Sequence, residues 1–171
     1  RNQPGVYEWI LKEKAGIELS ILDGQVQPER TDTGYVRRVD RDFFVPVVRL
    51  DDFVLMTGMT DVERLEGHSG SPIHSLSDLL KNLELKFENI HERIAGVKLP
   101  FAYSRDLRFD KASRHEAEKV FNSFFDKRNY KQSLEKRSLA GYREAGGLIP
   151  DELSLEETKP LQDFLVHKII Q

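Results

Sequence analysis

Apolar residues along this chain follow two spacings, and the change falls near residue 74. Pro4 suits a first helical turn, Val6, Trp9 and Ile10 follow it, and Gly16 closes the run, so the pattern predicts a short amphipathic N-terminal helix. From there the period turns to two. Ile17 to Leu22 runs into Asp23-Gly24, a pair that tolerates positive φ and favours a tight hairpin. Gly34 to Val39, Phe43 to Leu50 and Phe53 to Met56 are β-branched or aromatic runs separated by charged residues. Together they predict three or four mostly antiparallel strands with short connections. Pro46 has no N–H to give a ladder, so its strand is expected at a sheet edge or interrupted there.

Beyond Ser75 the spacing is helical. Leu76, Leu79, Leu80, Leu83, Phe87, Ile90 and Ile94 make one stripe ending before Gly96. Leu83, Leu85 and Phe87 also alternate, which leaves a strand as the competing reading of that part. Ala112 to Arg128 carries Ala117, Val120, Phe121, Phe124 and Phe125, and Lys131 to Ala145 carries Leu134, Leu139 and Tyr142 before Gly146-Gly147. This predicts two helices joined around Asn129-Tyr130. A last helix is expected from Ser154 or from Pro160, since Ser154 and Glu157 have capping-box spacing and Leu161, Phe164, Leu165 and Ile169 share a face. The expected fold class is therefore α+β: an N-terminal helix and a small antiparallel sheet, then a long amphipathic helix and a helical C-terminal part. All 171 residues are read as one domain, strand-rich over 1–73 and helical over 74–171. The start at Arg1 rather than Met is read as that of a fragment of a larger protein.

Composition narrows the class. Hydrophobic residues at 39% and charged residues at 32% describe a chain expected to fold without a partner. No apolar run approaches the roughly 18–20 residues of a bilayer span, and no signal peptide opens the chain. An intracellular protein is expected, with the cytoplasm its compartment and no membrane partner. Zero Cys excludes disulfides, thiolate metal sites and thiol nucleophiles.

Charge is unevenly distributed. Residues 91–150 hold 13 Lys/Arg against 8 Asp/Glu, a local balance of +5 within a chain of net charge -3, and residues 1–90 hold 11 against 16. The aromatics Phe101, Tyr103, Phe109, Phe121, Phe124, Phe125, Tyr130 and Tyr142 lie among those cations. Lys127, Arg128, Lys131, Lys136, Arg137 and Arg143 cluster around the expected helix-turn-helix junction, where a nucleic-acid backbone or another anionic partner would release counterions and Tyr130 or Tyr142 would stack on a base. Glu135 and Glu144 interrupt that charge, and local ion pairs on a solvated helix account for the same pattern.

Local motifs add little chemistry. Gly67-His68-Ser69-Gly70-Ser71-Pro72 resembles the nucleophile turn of chymotrypsin-like serine proteases, but no His precedes His68 to act as base and helical sequence follows, so a flexible turn is expected. Glu92-Arg93-Ile94 with Leu99-Pro100-Phe101-Ala102-Tyr103 resembles a segment of bestrophin-type anion channels; those need membrane-spanning helices, and no function is carried over. Pro150-Asp151 with Glu157-Thr158-Lys159 resembles a metal-dependent nuclease signature, without the strands that would gather its carboxylates. His68, His74, His91, His115 and His167 include no pair four apart. No catalytic, cofactor or metal residue is assigned. The expected function is a non-enzymatic module for protein-protein assembly or self-association; the first alternative is nucleic-acid binding through residues 127–143, and the second an enzyme whose site is assembled from dispersed residues.

Overall fold

The computed structural model describes Val6 and residues 8–23, 42–137 and 152–171; of these, the side chains of Arg93 and residues 130–137 fall outside the description. The chain divides into two compact units, residues 1–49 with 90–99, and residues 50–89 with 100–171.

In the first unit, Glu8–Lys14 forms a seven-residue π-helical segment with no buried residue. Ala15 N–H donates to the Ile10 carbonyl at 3.0 Å and Ile17 N–H to Leu11 at 2.9 Å, while Gly16 reverses the chain at φ +63°. That positive φ is the left-handed conformation a glycine takes at least cost, as its placement in the sequence implied. Strands β1 (Ser20–Asp23), β2 (Phe44–Arg49) and β3 (Gly96–Lys98) form a sheet in the order β1-β2-β3.

All three strands are parallel, which corrects the antiparallel expectation. Ser20 pairs with Phe44 and Asp23 with Val47 in one ladder, and Val47 with Gly96 and Arg49 with Lys98 in the other. Parallel neighbours need long connections in place of hairpins. Residues 24–43 link β1 to β2, and residues 50–95 pass through three helices before β3. The expected Asp23-Gly24 hairpin and Gly34 to Val39 strand involve residues outside the described ones. Pro46 lies in the central strand, not at an edge. Its carbonyl accepts from Ala95 N–H at 2.7 Å, so the N–H it lacks would face the 3₁₀ turn His91–Arg93, before the β3 ladder begins.

The second unit is helical: α1 (Asp51–Val54), α2 (Met59–Ser69), α3 (Leu76–Ile90), α4 (Arg114–Arg137) and α5 (Leu155–Ile169). Helix α5 packs on α4 and α1, and α2 on α1 and α4. The expected Phe53 to Met56 strand is instead α1 and its exit. Asp51 and Asp52 suit a helical first turn, and Phe53 and Val54 are buried side by side, which an alternating strand with one wet face does not allow. Helix α2 was missed, although Met59, Val62 and Leu65 are its buried residues at a spacing of three. Gly70 ends it at φ +68°, its N–H bonded to the Glu66 carbonyl at 2.8 Å.

Helix α3 confirms the helical reading of the leucine stripe, with Leu76, Leu79 and Leu83 buried, but it ends at Ile90 and leaves Phe87 exposed. Helix α4 runs unbroken through Asn129 and Tyr130, so the expected turn between two helices is absent there. No Gly or Pro occurs in 112–140 to break it. Helix α5 has the capping box its sequence signals: Ser154 Oγ accepts from Glu157 N–H at 3.2 Å and Glu157 Oε2 from Ser154 N–H at 2.8 Å. Its residues 161–166 are all buried, Gln162 and Asp163 included, so α5 is enclosed on every side and not merely along its apolar stripe.

Candidate functional site

A charged residue on an enclosed helix needs partners, and Asp163 has three. Arg105 Nη2 donates to its Oδ1 at 2.8 Å, the Asp110 backbone N–H to its Oδ2 at 3.0 Å, and Lys159 Nζ to the same Oδ2. Arg105 comes from the segment after the 3₁₀ turn Phe101–Tyr103, and its side chain is only 7% exposed, against 2% for Asp163. Its guanidinium also donates to Gln162 Oε1 at 2.8 Å and to the carbonyls of Asp106 and Arg108, both at 3.1 Å. Four of its five N–H groups are thus engaged. Gln162 Nε2 in turn donates to Thr158 Oγ1 at 2.7 Å. The guanidinium carbon lies 5.0 Å from the Phe109 ring centroid, and the Phe109 ring meets that of buried Phe101 in a tilted contact, centroids 5.9 Å apart.

Arg105 therefore holds the loop of residues 104–110 in shape from within. Arg108 N–H donating to Asp106 Oδ1 at 3.2 Å adds a local turn. Lys159 also donates to Asp110 Oδ2 at 2.8 Å. Burial pulls the Lys159 ammonium down, but its bonds to Asp110 and Asp163 outweigh this and hold it above its ordinary value. The same bond from Lys159 holds the Asp110 carboxyl below its usual range. Leu107 in this loop is 60% exposed, and Tyr103 in the turn that leads into it is 92% exposed. The buried ions of the cluster are paired with one another. The segment tied to α5 in this way presents an aromatic and an aliphatic side chain to solvent.

In the first unit, a second ionic cluster joins the carboxyl ends of the three strands. Arg49 Nε and NH2 grip the Asp23 carboxylate at 2.8 and 2.6 Å, and Lys98 Nζ donates to the same group. The Arg49 and then the Lys98 bonds hold the Asp23 carboxyl far below its usual range. All three side chains are partly solvent-exposed.

Of the six cations singled out in the sequence, only Lys127 and Arg128 have side chains among the described ones. Arg128 pairs with Glu63 of α2 at 2.8 Å, and Lys127 is half-buried. At about 100° per residue, Arg128 continues the line of buried Ala117, Phe121 and Phe124, and Lys127 flanks that line. Tyr130 belongs to the same helix. Tyr142 and Arg143 lie outside the described residues. Of the neighbouring aromatics, Phe121 and Phe124 are core, with rings 5.9 Å apart, and Phe125 is half-buried.

The protease-like turn does not expose an activated Ser. Ser69 Oγ accepts from Ser71 N–H at 3.2 Å and donates to the Ser71 carbonyl at 3.3 Å, both backbone groups. Glu157 is engaged as a cap and Lys159 as an ion partner, so the nuclease-like residues on α5 have structural work; Pro150 and Asp151 lie outside the described residues. Among the described residues no group of His, Asp and Glu could hold a metal, and no helix is long and apolar enough to cross a membrane. Comparison of the chain with protein-family models, curated proteins and solved structures finds no match.

The sequence reading missed Arg105, Asp163, Lys159 and Leu107 and named Tyr103 only for its aromaticity. One signal was available: Asp163 interrupts the apolar run Leu161, Phe164, Leu165, with Lys159 one helical turn before it.

Proposed function

We propose that this chain is a non-enzymatic protein-interaction module that binds its partner through the 101–110 loop, with Tyr103 and Leu107 as anchors. One observation carries the reading: two large side chains stand in solvent on a backbone whose internal Arg is buried, with four of its five N–H groups engaged. A loop already held in its binding shape loses little conformational freedom on docking, and aromatic anchors dominate interface energetics. The buried charges nearby serve the loop rather than a substrate, which weighs against an enzyme. The pairing of Arg128 with Glu63 weighs against a nucleic-acid surface on α4.

Photo-crosslinking in cells expressing the full chain tests this. A benzophenone amino acid at position 103 or 107 is expected to give one discrete, nuclease-resistant adduct of the same mass. The same label at exposed Asn122 on α4 is expected to give none, and Leu107→Asp is expected to abolish the adduct from position 103. Adducts from all three positions alike, from none of them, or adducts removed by nuclease would overturn the proposal.

A further inference from the structure

Parallel sheets are normally covered on both faces and buried. Here no residue of β1, β2 or β3 is fully buried: β1 alternates between half-buried and exposed positions, β3 is half-buried throughout, and β2 is half-buried up to Arg49, which is exposed. The ladders are short as well, with four residue pairs between β1 and β2 and three between β2 and β3. The helices of the second unit are held differently, α5 alone having seven buried residues.

One carboxylate joins all three strands at their carboxyl ends. Asp23 closes β1, Arg49 closes β2 and Lys98 closes β3. Arg49 and Lys98 are register partners, so two like charges stand side by side on one face, an arrangement that opposes pairing. Asp23 is the register partner of Val47, two residues before Arg49, and side-chain alternation puts it on that same face. Its carboxylate accepts two bonds from Arg49, at 2.8 and 2.6 Å, and one from Lys98, bridging residues 26 and 75 positions away in sequence. A single exposed ion pair adds little stability, but a bidentate Arg contact shared within a network is the exception. The side chains of Arg49, Asp23 and Lys98 are 52%, 32% and 41% exposed, within reach of dissolved ions.

We infer that Asp23, Arg49 and Lys98 form an electrostatic clasp, and that screening or removing the Asp23 charge opens the sheet of the first unit while the helices of the second stay folded. Half-buried strands tied by exposed charges open at a lower free energy than enclosed helices. Two attractions outnumber the one repulsion, so added salt weakens the clasp as a whole. Acid acts in the same direction. The Arg49 and then the Lys98 bonds hold the Asp23 carboxyl far below its usual range, so its contribution is present at neutral pH and is lost as pH falls through that lowered value. The clasp is independent of the 101–110 loop, which belongs to the other unit.

Amide hydrogen exchange in the full chain reads the opening of each unit separately. Ser20 N–H donates to the Phe43 carbonyl at 2.8 Å and Ala95 N–H to the Pro46 carbonyl at 2.7 Å, one on each flank of β2, while in the second unit Leu153 N–H donates to the Thr57 carbonyl at 2.8 Å. Raising sodium chloride from about 20 mM to about 1 M is expected to speed exchange at Ser20 and Ala95 by about tenfold and to leave Leu153 within about twofold. Asp23→Asn is expected to show the faster exchange already at low salt and to lose the acceleration by salt. Exchange at Ser20 and Ala95 that salt leaves unchanged, or that Asp23→Asn does not speed, overturns the clasp. Equal acceleration at Leu153 overturns it too, because the two units then open together.

Discussion

Replacing Asp163 by Asn is expected to lower the unfolding free energy by about 3–5 kcal/mol, the cost of leaving a buried charge without its partner. The substitution keeps the volume but removes the charge and turns an NH2 group toward donors. Arg105, only 7% exposed, then keeps only the distant Asp106 carboxylate at 3.8 Å, and the NH2 group either faces the Arg105 guanidinium in place of Oδ1 or removes both contacts that Oδ2 accepts, from Lys159 and from the Asp110 amide. The energy does not measure what the ion cluster adds over an apolar core, since burying the pair is itself costly. A double-mutant cycle makes that distinction. Arg105→Ala with Asp163→Ala is expected to destabilise by less than the sum of the single changes, with a coupling of about 1–3 kcal/mol. Urea unfolding followed by circular dichroism reads both quantities. A loss below about 1 kcal/mol for Asp163→Asn would mean that the carboxylate is hydrated and the loop is not tied to α5.

Phe121→Ala is expected to cost a similar amount, about 3–5 kcal/mol, by a different mechanism. Phe121 is fully buried on α4, with its ring 5.9 Å from Phe124 and 5.6 Å from Phe125 in tilted and edge-on contacts. Truncation removes apolar burial and leaves a cavity that a long helix cannot collapse to fill. Thermal or urea unfolding of the variant checks this value. A near-neutral result would place the ring outside the core and reopen the aromatic run of α4 as a surface that stacks on a ligand.

Helix periodicity was the most legible part of the fold. Leu76, Leu79 and Leu83, and Leu161, Phe164 and Leu165, declare their helices because a 3.6-residue period repeats locally. The Ser154 and Glu157 cap was legible for the same reason. Two more starts carry the same spacing and went unread: Ser75 with Asp78, and Ser113 with Glu116, where the Ser hydroxyl accepts from the later N–H at 3.2 and 3.3 Å and each carboxylate returns the bond. Sheet direction was not legible. Parallel and antiparallel strands share one local alternation and differ in what they pair with, and β3 is only three residues long and arrives after three helices. Pro46 misled because an edge is the usual refuge of a strand proline, whereas here the neighbouring strand has not yet begun.

The candidate site was less legible than the fold. Charge counting singled out Lys127, Arg128, Lys131, Lys136, Arg137 and Arg143, and the candidate loop of residues 101–110 lies elsewhere in the same basic stretch, 91–150. Arg105 looks like any other cation in sequence; what distinguishes it is Asp163, 58 positions away, and no local pattern links two residues so separated. Tyr103 and Leu107 could not be told from core residues, since exposure depends on where the loop is tied down.

Amide hydrogen exchange at Asp110 in the full chain bears most directly on a preformed loop. Its N–H lies outside every helix and strand and donates to Asp163 Oδ2 at 3.0 Å. If Arg105 and Asp163 hold the loop, exchange there is slowed by about a hundredfold or more relative to an unstructured peptide, because opening requires breaking the buried ion contacts. Asp163→Asn abolishes that protection while α4 stays protected. Exchange at the unstructured rate in the unaltered chain would contradict a loop built to present Tyr103 and Leu107.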